Sequence, residues 1–359
     1  MNSQAVKTHL LRKMPDILCF VCLVLVLWKA SCLFFRAKRR RYLASLCPTE
    51  DALLLYKLTN YVEFGFLSHK ALEFALFRTF AIPSISKLLH STQQFCPSSI
   101  LKRYDDTDIL TQEFVLHHVD SHRGSLALQR LNFIHAHYNI SNADLLYTLS
   151  LFVLEPIRFT AKFGYRNWTE GEKQAQFVVW HDIGKRMGIK HIPQNLEELE
   201  AFSRRYEAQK MVYSESNRVI GDATLDLLLS KVPVSFRPFA RRVAYALFDE
   251  RLAKAMGYPL QPYWVVWSVE SIVRLCGGSF VRWCLPPRPI HWSTERIQLQ
   301  ETEEKQEVYK LRYDEYKPCI YPNGYKIAEV GNAPGGKVGK SGQGSLLCPL
   351  PWLSQNKIS

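Results

Sequence analysis

An apolar segment near the N-terminus limits the possible folds of this chain more than any other feature. Residues 17–28 are an unbroken run of 12 apolar side chains, and the run continues to residue 35 with Lys29 and Ser31 as its polar members. As an α-helix, residues 17–35 would be about 28 Å long, close to the thickness of the hydrocarbon layer of a bilayer. The sequence therefore predicts a transmembrane anchor over residues 17–35, preceded by an N-terminal flank over residues 1–16.

A polybasic segment, residues 36–44, follows the predicted anchor directly. Five of the six residues from 36 to 41 are Lys or Arg. By the positive-inside rule, this side of the helix stays in the cytosol together with the rest of the chain. The alternative is a cleaved signal peptide whose basic start is Lys7, Arg12 and Lys13, although a mature chain that begins with a polybasic run would be unusual. We predict a single-pass membrane protein with a cytosolic domain.

The net charge of +13 is concentrated at the two ends of the chain. Residues 1–41 carry nine Lys or Arg against one acid, Asp16, and residues 331–359 carry three Lys and no acid. The long middle part is therefore nearly neutral, whereas a nucleic-acid-binding domain should carry its positive charge on its folded surface. We expect a membrane partner and no nucleic-acid partner.

From about residue 50, apolar residues recur with helical spacing, and prolines separate the apolar stretches. Ser141 and Thr169 each begin a capping box, a typical start of a helix. Helices are predicted at about 50–72, 108–138, 141–154, 169–188, 195–210, 219–231, 236–257 and 262–277. The predicted fold class is all-α, with one large helical domain over 45–295, a charged extension over 296–330 and a flexible tail over 331–359.

A histidine on a helix stripe is the first candidate for chemistry. Leu128, Leu131, His135 and Tyr138 lie at helical spacing on one face, while His137 points to another. His135 is therefore predicted to face the core. A buried neutral imidazole is either a hydrogen-bonded core residue or an axial ligand of haem iron.

The second candidate is the segment that contains Arg103 and Thr107. These two residues lie one helical turn apart and would share a face of a helix. Between and beside them are Asp105, Asp106 and Asp108, which are N-capping residues in the simplest interpretation. That interpretation explains the aspartates and leaves the spacing of Arg103 and Thr107 unexplained.

A third candidate is the adjacent pair His181 and Asp182. Metal-dependent phosphohydrolases use such a pair to bind a divalent cation, together with a distant upstream His and a downstream Asp. The candidates for these further ligands are His135, His137 and Asp249. The simpler alternative is a solvated helix face on which Lys185 and Arg186 stabilise the C-terminal end of the helix dipole.

Several collinear stretches resemble one family. The longest covers residues 130–158 and includes the His135 stripe. Shorter stretches lie at residues 77–89, 102–107, 187–189, 245–250 and 285–288. Together they resemble the fungal ER-bound oxygenases of the mycophenolic-acid pathway (mpaB-type), which share a catalytic domain with rubber oxygenase, the latex-clearing protein.

The resemblance implies a globin-like helical core that binds haem b, and the oxidative cleavage of an isoprenoid carbon–carbon double bond in secondary metabolism. It implies that His135 is the proximal iron ligand. It also implies that Arg103, Asp106 and Thr107 occupy a distal Arg-x-x-Lys-Thr motif. Here aspartate replaces the lysine at position 106, and aspartate is a poor sixth ligand for haem iron.

Our leading hypothesis is a haem-dependent oxygenase anchored in the ER membrane, with its catalytic domain on the cytosolic face. Its partners would be O₂ and a lipophilic small molecule, which partitions into the same membrane. The first alternative is a divalent-metal phosphohydrolase that uses His181 and Asp182. The second is a non-catalytic membrane-anchored helical protein that binds a lipid or a protein partner.

Overall fold

A computed structural model describes residues 3–298 and 308–331, with side chains described from residue 16 onward. The predicted all-α class is confirmed. Among the described residues, β structure is limited to two isolated antiparallel bridges, Ile297–Leu311 and Tyr309–Tyr325. The first described helix is the long α1 (Ser3–Ser45), and its apolar side chains from residue 16 onward are mostly exposed. The flexible tail predicted at 331–359 lies outside the described residues except for Gly331.

The remaining helices follow α1 in sequence order. They are α2 (Ala52–Lys57), α3 (Gly65–Thr79), α4 (Pro83–Ser91), α5 (Ile100–Leu116), α6 (His122–Ala136), α7 (Asn142–Phe163), α8 (Glu170–Arg186), α9 (Leu196–Lys210), α10 (Glu215–Leu228), α11 (Arg237–Ala246), α12 (Glu250–Met256), α13 (Tyr263–Arg274) and α14 (Val281–Cys284). Two π-helical turns, Leu58–Glu63 and Leu275–Phe280, join α2 to α3 and α13 to α14. Short 3₁₀ turns are Val234–Phe236 and Ile327–Glu329.

Side-chain caps explain where several helices begin. Ser141 accepts a hydrogen bond from the backbone N–H of Asp144 at 3.0 Å before α7. Thr169 and Glu172 form a reciprocal capping box before α8. Each cap satisfies backbone N–H groups that have no partner inside the helix. The predicted starts of α7 and α8 are therefore confirmed.

The predicted helix over 108–138 is wrong, because the chain turns at residues 117–121 and forms two helices, α5 and α6. Ser121 caps α6 by accepting from the N–H of Gly124 at 3.2 Å. A Cβ at Gly124 would lie 2.4 Å from the carbonyl oxygen of His118, so the turn requires glycine there. The predicted helix over 236–257 is likewise divided, since Asp249 begins α12 as its N-cap.

Helix α7 lies at the centre of the domain and packs against α3, α8 and α9. Gly184 of α8 allows a close approach, because a Cβ there would lie 2.5 Å from Leu149 Cδ2 of α7. The main core cluster also includes Ile297, Tyr325 and Val330. The described residues of the predicted charged extension therefore complete the core of the helical domain.

Candidate active site

Helices α5 and α6 pack against each other and bring two of the predicted site residues together. Arg103 lies in the first turns of α5, and His135 lies in the last turn of α6. The Thr107 hydroxyl donates a hydrogen bond to the Arg103 carbonyl oxygen at 2.8 Å, which confirms that these residues are one helical turn apart. The geometry places Arg103 and Thr107 on a continuous helix beside the end of α6.

The interpretation of the three aspartates as N-caps is wrong. Helix α5 begins at Ile100, so Asp105, Asp106 and Asp108 lie inside it, beyond its first turn. Asp105 and Asp106 are both 1% exposed. Buried carboxylates are tolerated only when they are paired, so each of them requires a partner from elsewhere in the fold.

The His135 imidazole is partly buried and neutral near pH 7. Burial lowers its pKa to about 4, and the nearby positive charge of Arg103 acts in the same direction. Its ring has no hydrogen-bond partner in the described part of the chain. His137 differs, because it is exposed and its Nδ1 lies 2.7 Å from the Phe133 carbonyl oxygen. The two histidines therefore face different surroundings, as the helical spacing predicts.

The Arg103 guanidinium is partly buried, and it makes no ion pair or hydrogen bond within residues 3–298 and 308–331. Burial lowers its pKa, while the nearby groups of Asp106 and Tyr138 act in the opposite direction. A guanidinium carries five N–H donors, and donors without partners inside a protein are available to a ligand. Arg103 and His135 thus present an unpaired cation and an unpaired neutral imidazole beside each other.

Asp106 does not pair with Arg103. Its carboxylate accepts from Lys102 Nζ at 2.6 Å and from the Tyr321 hydroxyl. Lys102 also donates to the Tyr321 hydroxyl oxygen at 3.3 Å. At the position where the resemblance implies a lysine, this chain therefore has an aspartate whose partner is a lysine from one turn earlier.

The C-terminal segment supplies further partners to α5 and α6. The buried Arg296 guanidinium pairs with Asp105 at 2.9 Å and with Asp108 at 2.7 Å. The Tyr325 hydroxyl donates to Glu113 at 2.6 Å. These residues were not predicted, because they are more than 180 positions away in sequence from the carboxylates that they bind. The sequence held only an indirect signal for them: acidic residues in the middle of α5 need partners from another part of the chain if they are buried.

His181 and Asp182 lie on α8 beside a different cleft, with a volume of about 380 Å³. Burial lowers the pKa of His181, and Lys185 adds to this effect. The His181 ring stacks on Phe177, with 5.2 Å between the ring centroids. Asp182 is bound to Arg186 at 3.0 Å, a pair with both side chains more than a third exposed. His117 also lines the cleft, and burial lowers its pKa to about 4.

The ligand set for a metal-dependent phosphohydrolase is not brought together. Among the described residues, no three His, Cys, Asp or Glu side chains are placed to bind one metal ion. Asp249 caps α12 and pairs with Arg78. None of His135, His137 and Asp249 lines the cleft beside His181. The simpler alternative, a solvated helix face at the end of α8, agrees with the exposed side chains of Lys185 and Arg186, whereas His181 Nε2 is buried without a hydrogen-bond partner.

Comparison with known proteins shows the family. The model of the domain described as "ER-bound oxygenase mpaB/B'/Rubber oxygenase, catalytic domain" matches residues 112–283. The chain is 34% identical over 291 residues to ER-bound oxygenase mpaB' of Penicillium brevicompactum, covering 76% of this chain and 68% of that protein. It is 37% identical over 226 residues to ER-bound oxygenase mpaB of Penicillium roqueforti (strain FM164), covering 58% of this chain and 76% of that protein. The resemblance seen in the sequence is thus confirmed, and the chain belongs to the family of mpaB-type ER-bound oxygenases and rubber oxygenases.

Proposed function

We propose that the protein is a membrane-anchored, haem-dependent oxygenase that uses O₂ to cleave a carbon–carbon double bond in a prenyl or other lipophilic chain. One observation carries the proposal. In a chain of an oxygenase family, the neutral imidazole of His135 and the unpaired guanidinium of Arg103 lie together where α5 meets α6. Neither group has a hydrogen-bond or ion-pair partner among the described residues.

We infer haem b from the donor groups at this site. An imidazole binds iron through a nitrogen lone pair, and His135 keeps that lone pair free well below neutral pH. Arg103 offers positive charge and several N–H donors to an anionic or oxygen-rich group. When bound, haem would supply the activation of O₂ that protein side chains cannot provide.

The chain's own residues would then orient the reactants. Arg103 would donate hydrogen bonds to negative charge that develops on oxygen during cleavage, and burial strengthens such bonds. Thr107 would hold the Arg103 turn through its hydrogen bond to the Arg103 carbonyl and offer its own oxygen as an acceptor. Asp106 would not compete for Arg103, because Lys102 and Tyr321 already bind its carboxylate.

The proposal includes an ER anchor. Within α1, the stretch Asp16–Ser45 is long and apolar enough to span a bilayer, and its apolar side chains are exposed. Exposing an apolar helix of this length to water is unfavourable, whereas exposing it to lipid is not. The two Penicillium relatives are named ER-bound. We place the helical domain on the cytosolic face, in reach of a substrate dissolved in the membrane.

The reaction class has a simple stoichiometry. Cleavage of one double bond by one O₂ places one oxygen atom on each carbon and yields two carbonyl groups. Both oxygen atoms are used, so the reaction needs no external reductant. The purified enzyme should therefore consume one O₂ for each bond cleaved in the absence of NADPH.

The proposal is tested on the full-length chain in detergent or nanodiscs by an absorption spectrum, an iron determination and O₂ uptake with prenylated compounds. We expect a Soret band with about one iron per chain. Absence of a Soret band, also after haem is added back, would overturn the haem assignment. Metal-dependent phosphatase activity that disappears in Asp182→Ala would favour the hydrolase, and absence of both activities would favour a non-catalytic lipid- or partner-binding protein.

A further inference from the structure

A second apolar surface lies on the helical domain itself. Five aromatic side chains of the segment Tyr263–Cys284 are 46–82% exposed, and they are Tyr263, Trp264, Trp267, Phe280 and Trp283. Phe236 and Phe239, beside and within α11, are 62% and 68% exposed, and α11 packs against α13. We call these seven side chains the aromatic face. Soluble monomers rarely expose several large aromatic side chains on neighbouring helices unless these bind something.

The segment that carries the aromatic face is also in contact with the rest of the helical domain. Glu270 pairs with Lys162 of α7 at 2.5 Å, and Arg274 Nε donates to the Lys162 carbonyl at 3.1 Å. A Cβ at Gly278 would lie 3.1 Å from the Gly164 carbonyl oxygen, so the backbones are in close contact there. Although Tyr263–Cys284 is long and apolar enough to be a candidate membrane span, these contacts join it to the helical domain.

The same segment meets α1 along the last part of the predicted span and at its end. Trp28 Nε1 donates to the Cys284 carbonyl at 2.9 Å, and Lys29 Nζ lies 4.0 Å from the centre of the Trp283 ring. Arg36, the first residue of the polybasic segment, donates to the Val281 carbonyl at 2.6 Å. The segment therefore adjoins the anchor from Trp28, about 10 Å inside the predicted span, to Arg36 at the predicted boundary between lipid and cytosol.

The chemistry of the face matches that boundary. Trp and Tyr are enriched at membrane–water interfaces, because their rings are apolar and their N–H and O–H groups are polar. Arg242 and Arg282 are exposed on α11 and α14 beside the aromatic side chains. Exposed cations at this depth attract the anionic headgroups of a cytosolic leaflet.

We propose that the aromatic face lies in the headgroup region of the bilayer that α1 spans, so that the domain contacts the membrane at a second site. The inference rests on the proposed anchoring by α1 and adds a fixed orientation of the domain. The occupant is lipid, because the face adjoins the anchor and combines exposed aromatic rings with arginines. A second copy of the chain or another protein is the competing occupant.

The native cysteines allow a test on the full-length chain. Cys276 and Cys284 are exposed next to the aromatic face, and Cys19 and Cys22 are exposed on the apolar part of α1. The chain is placed in nanodiscs with anionic lipid at one copy per disc and treated with a charged, membrane-impermeant maleimide. Mass spectrometry then gives the modification rate of each thiol. The variant Arg204→Cys adds a control thiol on α9, at a side chain that is 73% exposed.

We expect all four native thiols to react at least tenfold more slowly than the control thiol, and to react fully after denaturation. Modification of Cys276 and Cys284 at the control rate, with Cys19 and Cys22 protected, would overturn the second contact and leave the anchor intact. Modification of Cys19 and Cys22 would instead contradict the anchor. One copy per disc prevents a second chain from protecting the face.

A second measurement identifies lipid as the occupant. Lipids that carry a doxyl group at carbon 5 quench tryptophans near the headgroups. The double variant Trp264→Phe/Trp267→Phe should lose a large part of the quenchable fluorescence, whereas Trp168→Phe should not, because Trp168 is 4% exposed. Equal loss in the two variants would contradict contact between the aromatic face and lipid.

Discussion

Two regions of the molecule contain a histidine whose imidazole is neutral near pH 7, and the groups beside that histidine differ between them. At the end of α6, burial and Arg103 lower the pKa of His135. On α8, burial and Lys185 lower the pKa of His181. The protonation state is therefore similar, and the neighbours decide what each region can bind.

The neighbours differ in how their charges are paired. Beside His135, the buried acids of α5 already have partners, and Arg103 is left with unused donors. Beside His181, the acid Asp182 is bound to an exposed arginine, and no third metal ligand is in place among the described residues. The two regions therefore differ in the kind of group that lacks a hydrogen-bond partner. A cation, Arg103, lies beside His135, whereas the α8 cleft holds a second buried imidazole nitrogen without such a partner, His117 Nε2, beside His181 Nε2.

The largest expected effect comes from the ion pairs under the α5–α6 site. Arg296→Leu leaves Asp105 and Asp108 without their buried cation, and it should lower the free energy of unfolding by about 3–5 kcal/mol. Arg186→Leu is the matched change on α8, and it should have little effect because its ion pairs are exposed. Denaturant unfolding of both variants in micelles measures the difference. Equal decreases in the free energy of unfolding would contradict the difference in ion-pair burial between the two regions.

The next effect is on catalysis. Arg103→Met removes the unpaired donors beside His135, and it should lower the rate of O₂ consumption about 100-fold while haem remains bound. Arg103→Lys keeps the positive charge but lacks the planar set of N–H donors, so its rate should lie between those of Arg103→Met and the unchanged chain. O₂ uptake and the Soret band are measured on the same samples. Full activity in Arg103→Met would remove this residue from the site.

The pH dependence of stability should reveal the neutral histidines. The unfolded chain protonates His135 near pH 6.5, whereas the folded haem-free chain does so only near pH 4. The unfolded state therefore binds more protons in this window, and the free energy of unfolding should decrease as the pH falls from about 6.5 to about 4. His135→Gln should show a smaller decrease than the unchanged chain. His117→Gln should act in the same direction. Identical curves for all three proteins would contradict the assigned protonation states.

The smallest effect is expected on α8. Asp182→Ala removes the acid of the His-Asp pair and breaks only an exposed ion pair with Arg186. Oxygenase activity should stay within about twofold of the unchanged chain, since this cleft is distinct from the α5–α6 site. A loss comparable to that of Arg103→Met would mean that the cleft takes part in the reaction.

Local signals in the sequence predicted much of this fold. The helical spacing indicated the all-α class, and the caps at Ser141 and Thr169 marked the starts of α7 and α8. The same spacing predicted that His135 and His137 lie on different faces of the helix. These features depend on residues within a few positions of one another, which is the range over which helix formation is decided.

Features that depend on distant parts of the chain could not be predicted. The pairs between Arg296 and the α5 aspartates and between Tyr321 and Asp106 join residues about 190 and 215 positions apart. Ser121 and Gly124 are a local signal for the break between α5 and α6. The prediction missed it because the apolar residues on both sides follow helical spacing. The contact of Tyr263–Cys284 with α1 likewise exists only in the folded chain.

The most direct test of the central claim compares His135→Ala with His137→Ala. Both changes remove an imidazole near the end of α6, but only His135 lies beside Arg103 with its ring nitrogens free. The measurement is Soret absorbance per chain after purification and after reconstitution with haem. We expect His137→Ala to retain the absorbance and His135→Ala to lose it. Retention of haem and of the unchanged spectrum in His135→Ala would contradict the assignment of His135 as the iron ligand.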